Sequence, residues 1–203
     1  MTGATGGAAH RALIIVDVQN DFTEGGSLPV AGGAEVADRL SAYVPTQRDR
    51  YAAVVATADW HQDPGAHWSG NPDFVDSWPV HCRVGTDGAL FHPAAEAAFE
   101  HVEAVFRKGL HEAAYSGFEG STVSGDTATG LADWLRSRGI QAVDIAGIAT
   151  DYCVRATALD AVREGFETSV LLDLCAGVAP ESTQAALDAF AEAGVTVTDT
   201  PSA

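Results

Sequence analysis

Six short apolar runs recur along the chain, and between most of them lies a loop followed by a stretch with helical spacing. The first, Arg11-Ala12-Leu13-Ile14-Ile15-Val16, is almost continuously apolar and ends at Asp17. Continuous rather than alternating apolarity suits a central parallel strand covered on both faces. The run over 51–58 repeats the theme and ends at Asp59. A shorter one, Val102 to Phe106, delivers Lys108 at its end. Ala142 to Ala146, Thr168 to Leu172 and Val195 to Val197 complete the set.

The intervening spacing predicts helices. One starts near Ala34 with Val36, Leu40, Tyr43 and Val44 on one face, and Pro45 is expected to break or kink it. A second carries Leu131, Trp134 and Leu135 inward, with Asp126 or Thr127 as its cap and Gly139 as its stop. A third carries Val154, Ala158, Leu159 and Val162 and ends at Gly165. The fourth opens at Pro180 and ends before Gly194. Strands alternating with helices predict an α/β fold: three layers, α-β-α, around a mainly parallel sheet of about six strands. We expect one domain over residues 11–203, preceded by a frayed tail at residues 1–10 that is rich in Gly, Ala and Thr.

Composition narrows the function. A formal net charge of −17 leaves no cationic stripe for phosphates, so neither nucleic acid nor an anionic membrane surface is an expected partner. Three cysteines do not make a disulfide framework, and no apolar run approaches the ~20 residues of a membrane span. A reducing, cytoplasmic location is expected.

The right-handed crossover rule brings the C-terminal ends of parallel strands to one side of the sheet. Asp17, the loop after Asp59, Lys108 and Cys153 all follow predicted strands, so they converge where open α/β sheets bind ligands. Cys153 lies where a strand passes into a helix, so the helix dipole and unpaired N–H groups could favour a thiolate nucleophile; alternatively it is a small buried residue in a tight turn. Asp17 is either a turn cap or a general base for that thiol. Lys108 either points into water or lowers the thiol pKa.

The irregular stretch from Trp60 to about Leu90 holds His61, His67 and His81, interleaved with Trp60, Trp68 and Trp78. With Asp59 these imidazoles suit one divalent ion such as Zn, Fe(II) or Mn, against the alternative of solvated loop histidines. Cys82 is a weaker rival ligand, because adjacent strand-like residues point to opposite sides. Phe22, Trp78 and Tyr115 on nearby loops fit a pocket for a flat ring.

These motifs carry a family likeness. Val16-Asp17-Val18-Gln19-Asn20-Asp21-Phe22, Asp59-x-His61-x5-His67, Ser77-Trp78-Pro79-x-His81-Cys82, Lys108-Gly109, Tyr115-Ser116-Gly117-Phe118 and Gly147-Ile148-Ala149-Thr150-Asp151-Tyr152-Cys153-Val154 together resemble the nicotinamidases, also called pyrazinamidases, within the isochorismatase-like cysteine hydrolases. The resemblance runs from Arg11 to about Val195. It implies an Asp17–Lys108–Cys153 triad and a divalent metal on Asp59, His61, His67 and His81 that ligates the ring nitrogen of the substrate. It further implies Phe22 and Trp78 flanking that ring, and a cis peptide between Ile148 and Ala149. The Ala149 and Cys153 N–H groups would form the oxyanion hole, with Tyr115, Ile148 and Tyr152 completing the pocket.

The implied activity is deamidation of nicotinamide and pyrazinamide-like carboxamides through a thioester, in NAD salvage, by a monomer or homo-oligomer. The nearest alternative is an amide or carbamoyl hydrolase of the same superfamily. Two others from different classes are a metal-water hydrolase with Cys153 merely structural, and a binding module without chemistry.

Overall fold

The computed structural model describes residues 10–124 and 126–200. Eight strands form one sheet in the order β5-β4-β3-β2-β1-β6-β7-β8. They are β1 (Arg11–Val16), β2 (Ala53–Asp59), β3 (Ala104–Lys108), β4 (Ser121–Ser124), β5 (Thr127–Gly130), β6 (Ala142–Ile148), β7 (Glu167–Ala176) and β8 (Thr196–Thr198). All pairings from β3 to β8 are parallel, while β4 and β5 join antiparallel at one edge. The six expected strands are present. The two extra ones lie in a Ser/Thr/Gly-rich stretch without hydrophobic alternation, so no apolar pattern announces them.

Residue alternation along β1 shows how the layers form. Leu13 and Ile15 pack toward one face, with Val36, Leu40 and Val44 of helix α1 (Gly33–Gln47). Ala12, Ile14 and Val16 face the other side. There they meet Leu131 and Leu135 of α3 (Leu131–Ser137), Ala158 of α4 (Arg155–Arg163) and Phe190 of α5 (Pro180–Ala193). The short α2 (Glu96–Phe99) lies on the α1 side. Every residue of β2 is buried, which is why it reads as a continuous apolar run.

Two expectations about helix ends are corrected. Pro45 does not end α1, which runs on to Gln47. Proline there removes only one hydrogen bond in the last turn, while buried Leu40, Tyr43 and Val44 hold the helix on the sheet. Neither Asp126 nor Thr127 caps α3, because residues 127–130 are drawn into β5 and Gly130 becomes the cap. Gly139 does follow the helix in a left-handed conformation, at φ 70°. Of the expected N-terminal tail, residues 1–9 lie outside the described residues, and the carbonyl of His10 accepts a hydrogen bond from Gln141 N–H. No described helix is long and apolar enough to cross a membrane.

The polar residue inside the β6 run is compensated. Asp144 accepts from the Arg11 guanidinium at 2.5 Å and from the Tyr51 hydroxyl at 3.0 Å, and Tyr51 in turn pairs with Tyr43. Gly147, near the end of β6, has φ 125°, and a Cβ there would lie 2.1 Å from the Val16 carbonyl oxygen. Only glycine lets β6 approach β1 this closely just before the loop that carries Cys153. Gly147→Ala is expected to destabilise the protein by about 3 kcal/mol through overpacking and left-handed strain, measured by urea unfolding. A midpoint equal to that of the parent would contradict this.

Candidate active site

Strand order places the site. From β1 the chain moves to β2 and β3 on one side, then to β6, β7 and β8 on the other. The β1/β6 boundary is therefore a topological switch point, where a crevice opens beyond the strand ends. Asp17 leaves β1 there, and Cys153 arrives just after β6. Asp59 and Lys108 are paired neighbours at the ends of β2 and β3.

Asp17 is fully buried and holds a left-handed backbone at φ 48°, a conformation that costs a non-glycine residue about 1 kcal/mol. Its Oδ1 accepts a 2.6 Å hydrogen bond from the Thr57 hydroxyl. Its Oδ2 lies 2.9 Å from Lys108 Nζ, yet no well-aligned donor satisfies that oxygen. Lys108, the only lysine in the sequence, is 2% exposed and also binds Asp59 Oδ1. Its Nζ is 3.6 Å from Cys153 Sγ. The acceptor atoms of Asp17, Asp59 and Cys153 all lie within 4.8 Å of one another.

Charge settles the resting state. Burial opposes the Lys108 cation, but Asp17, Asp59 and Cys153 outweigh it and hold the ammonium well above the usual lysine range. Burial also opposes ionisation of Asp59, but Lys108 together with His61 and His81 outweighs it, so this carboxyl stays well below the usual range. For Asp17, burial dominates and Asp59 adds to it, so its pKa is raised despite Lys108 and Thr57. The Cys153 thiol is pushed well up by burial, and Asp17 and Asp59 add to that against Lys108. One ammonium and a helix start do not offset desolvation and two carboxylates. The sulfur rests as a thiol beside the Asp17 carboxyl.

The helix start is itself unusual. Residues Thr150–Val154 form a π-helical turn before α4, so the peptide after β6 is wound wider than an α-helix. The Ala149 carbonyl accepts from the N–H groups of Tyr152 and Val154. The Ile148–Ala149 peptide is cis. Asp151 anchors this turn to the start of α5, accepting from the N–H groups of Val178 and Ala179 and from the Ser182 hydroxyl.

Three imidazoles gather beside this cluster. Ligand-capable atoms of His61, His67 and His81 lie within 4.8 Å of one another, and all three residues are buried. The second oxygen of Asp59 points among them, 3.5 Å from His61 Nε2 and 3.7 Å from His81 Nε2. His61 Nδ1 donates to the Gly109 carbonyl at 2.5 Å and His81 Nδ1 to the Pro79 carbonyl at 2.8 Å. That leaves Nε2 of each ring as the nitrogen that faces the cluster, and His61 Nε2 and His67 Nδ1 are buried without a partner. Burial, reinforced by His81 and His61, lowers the His67 pKa to about 4, which keeps that ring neutral. Unpartnered imidazole nitrogens around a carboxylate are what a borderline divalent ion requires, so the donor set fits a metal. Gly109 belongs to this arrangement: at φ 75°, a Cβ there would lie 2.4 Å from the His61 ring. Cys82 is not among the clustered donors, and burial pushes its thiol well up.

A cavity opens over both groups, enclosing about 490 Å³ counted together with its mouth. Cys153 and Ala149 reach it from one side, and Asp59, His67 and His81 from another. Phe22, Trp78, Tyr115, Ile148 and Tyr152 form its walls, so every residue expected to bind substrate lines it. Trp78 donates through Nε1 to the Tyr115 hydroxyl at 3.0 Å. Trp60 and Trp68 do not line it: Trp60 lies under Arg107, and Trp68 is edge-on to His61.

Sequence reading missed Leu28, Pro29, Val30 and Val178 of the wall, which sit in loops with no periodic signal. It also missed two supporting residues. Thr57 faces Asp17, and its position inside an apolar run was the available signal. Gln19 is fully buried; its Oε1 accepts from Asp59 N–H and its Nε2 donates to the carbonyls of Asp59 and Ala89.

Comparison with known proteins agrees with this geometry. Residues 11–202 match the family described as Isochorismatase domain. The chain is 56% identical over 185 residues to a nicotinamidase/pyrazinamidase of Mycobacterium tuberculosis, covering 91% of this chain and 96% of that one. A pyrazinamidase of Pyrococcus horikoshii solved in complex with zinc superimposes with a TM-score of 0.78 at 37% identity, over 94% of this chain and 99% of that one. A protein from L. infantum in complex with nicotinate gives 0.80 at 34% identity, over 94% and 93%. With the family matched along almost the whole sequence, the chain belongs to the isochorismatase domain family.

Proposed function

We propose that this chain is a nicotinamidase, a cysteine amidohydrolase that converts nicotinamide and pyrazinamide-like ring carboxamides to the carboxylate and ammonia, and that it serves NAD salvage. The observation that carries the reading is the contact of Lys108 with both Asp17 and Cys153 beneath an aromatic pocket lined by Cys153 and by His67 and His81, two of three clustered, buried imidazoles.

Cys153 is the nucleophile. Because its sulfur rests as a thiol, proton transfer to the under-satisfied Oδ2 of Asp17 accompanies attack on the carboxamide carbon. The N–H groups of Ala149 and Cys153 stabilise the oxyanion of the tetrahedral adduct. The C–N bond then breaks, Asp17 returns the proton to nitrogen, and ammonia leaves a thioester. Asp17 next takes a proton from water as it attacks the thioester, and passes that proton to the departing sulfur. Lys108 keeps both carboxylates in place throughout and restrains the thiol pKa. Asp59, His61, His67 and His81 would hold one divalent ion, zinc, iron or manganese, whose Lewis acidity would anchor the ring nitrogen.

The reading takes residues 11–203 as one hydrolase domain acting on a small molecule, as a monomer or homo-oligomer. Cysteines unpaired at 82, 153 and 175 support a reducing cytoplasm, and the charge of −17 argues against nucleic-acid or membrane partners.

Purified protein is expected to release ammonia from nicotinamide, to lose this activity when chelated, and to regain it on titration with zinc, iron or manganese. No ammonia from metal-reconstituted protein would reject the assignment. A pH prediction follows from Asp17. Since its folded pKa is raised, kcat/KM should fall on the acid side at a pH above about 3.9, the ordinary value for aspartate. The Thr57 hydroxyl stabilises the ionised form, so Thr57→Val should move that limb to still higher pH. An unmoved limb would remove Asp17 from the role of base.

A further inference from the structure

The substrate cavity has a neighbour. A groove of about 940 Å³, counted in the same way, runs along the outside of α4. Its sides come from Val75 and Asp76 of the loop before Trp78, and from Arg155, Ala156 and Leu159 of the helix. Among the described residues, only Tyr115 and Tyr152 line both spaces. Together they form the partition between them.

The two tyrosines are held differently. Tyr115 is pinned, since its hydroxyl accepts from Trp78 and its N–H donates to Glu119. Tyr152 is edge-on to Trp78, with centroids 5.0 Å apart at 90°, and tilted 30° to Tyr115 at 6.1 Å. Its hydroxyl has no hydrogen-bond partner among the described residues. The bulk of its ring, not its polar tip, therefore closes the partition. Because it directly precedes Cys153 in the π-helical turn, the same backbone that fixes the sulfur fixes this ring.

We propose that Tyr152 is the specificity-determining residue that confines this chain to carboxamides of bare six-membered rings, by walling the Cys153 pocket off from the groove over Ala156 and Leu159. The inference rests on reading the pocket as a ring-carboxamide site. Truncating Tyr152 joins the two spaces and admits heteroaryl carboxamides with an apolar ring substituent. Ala156 and Leu159 supply its apolar floor, and Arg155 and Asp76 its polar rim.

The test uses metal-loaded parent, Tyr152→Phe, Tyr152→Leu and Tyr152→Ala proteins. The substrates are nicotinamide and nicotinamides carrying a phenyl group on ring carbon 4, 5 or 6. Ammonia release gives kcat/KM, and calorimetry gives the affinity of each compound. The parent and Tyr152→Phe should prefer nicotinamide to the same degree. Tyr152→Leu and Tyr152→Ala should narrow that preference by about tenfold or more for at least one phenyl compound, the scale on which a pocket wall discriminates. Unchanged preference in both truncations, in rates and in affinities, would overturn the proposal, as would loss of the parental preference in Tyr152→Phe. Should the parent release no ammonia from nicotinamide, the proposed function falls while the affinity ratios still decide the wall. If none of the compounds binds, both fall. Should Tyr152→Ala not fold, Tyr152→Leu decides.

Discussion

Cys153→Ala is expected to lower kcat for nicotinamide by about 10⁴-fold or more while leaving the fold and the bound metal in place, because loss of a covalent nucleophile leaves only binding and oxyanion stabilisation. Alanine removes one sulfur atom from a site 7% exposed and creates neither a buried charge nor a clash. Thermal unfolding should therefore stay within a few degrees of the parent. Elemental analysis should find the same metal content, since Asp59, His61, His67 and His81 are untouched. The thiol is already protonated at rest, so its removal does not disturb the charge of the Asp17–Lys108 pair. Near-normal turnover by this variant would rule out thioester catalysis. In the active protein, quenching during turnover should trap an acyl group on Cys153 that mass spectrometry can locate.

Lys108→Met should damage both activity and stability. Among the described residues, the ammonium is the only lysine or arginine cation in contact with two buried carboxylates, Asp17 and Asp59. Removing one partner of a buried ionic cluster leaves the others uncompensated, a loss of about 3–5 kcal/mol. Here the loss should depend on pH in a definite direction. Without the ammonium both carboxyl pKa values rise in the folded state, so the variant binds protons more readily folded than unfolded. Its deficit against the parent should be largest above the ordinary carboxylate range and shrink as pH falls and the pair protonates. Urea unfolding at pH 7.5 and at pH 5 tests this; a deficit independent of pH would mean that Lys108 acts by packing alone. Lys108→Arg should not rescue turnover, because a planar fork cannot replace a compact ammonium in a fully enclosed space.

The predictions rest on features of unequal visibility in the chain. Arg11 to Val16 and residues 53–58 announced themselves as central strands because burial on both faces demands unbroken apolarity. Asp17, Asp59 and Lys108 could then be placed at strand ends, and crossover handedness brought them to one edge. The histidines after Asp59 were legible as a donor set from residue type and clustering. The β4–β5 hairpin was not legible, since edge strands of Ser and Thr need no apolar face. Nor was Gln19 as a clamp on Asp59, which depends on a contact 40 residues away.

By itself, then, the sequence determined the α/β class, the sheet edge that carries the chemistry, and the residues that meet there, because hydrophobic period and strand handedness are local properties that propagate to topology. The tertiary structure alone decided the protonation of that site and the shape of its pocket. Whether Cys153 rests as a thiol turns on desolvation weighed against Lys108, Asp17 and Asp59, a sum over groups from four separate strand ends. Whether Tyr152 is a wall or a surface ring turns on where Trp78 and Tyr115 stand in space, and no spacing along the chain encodes that.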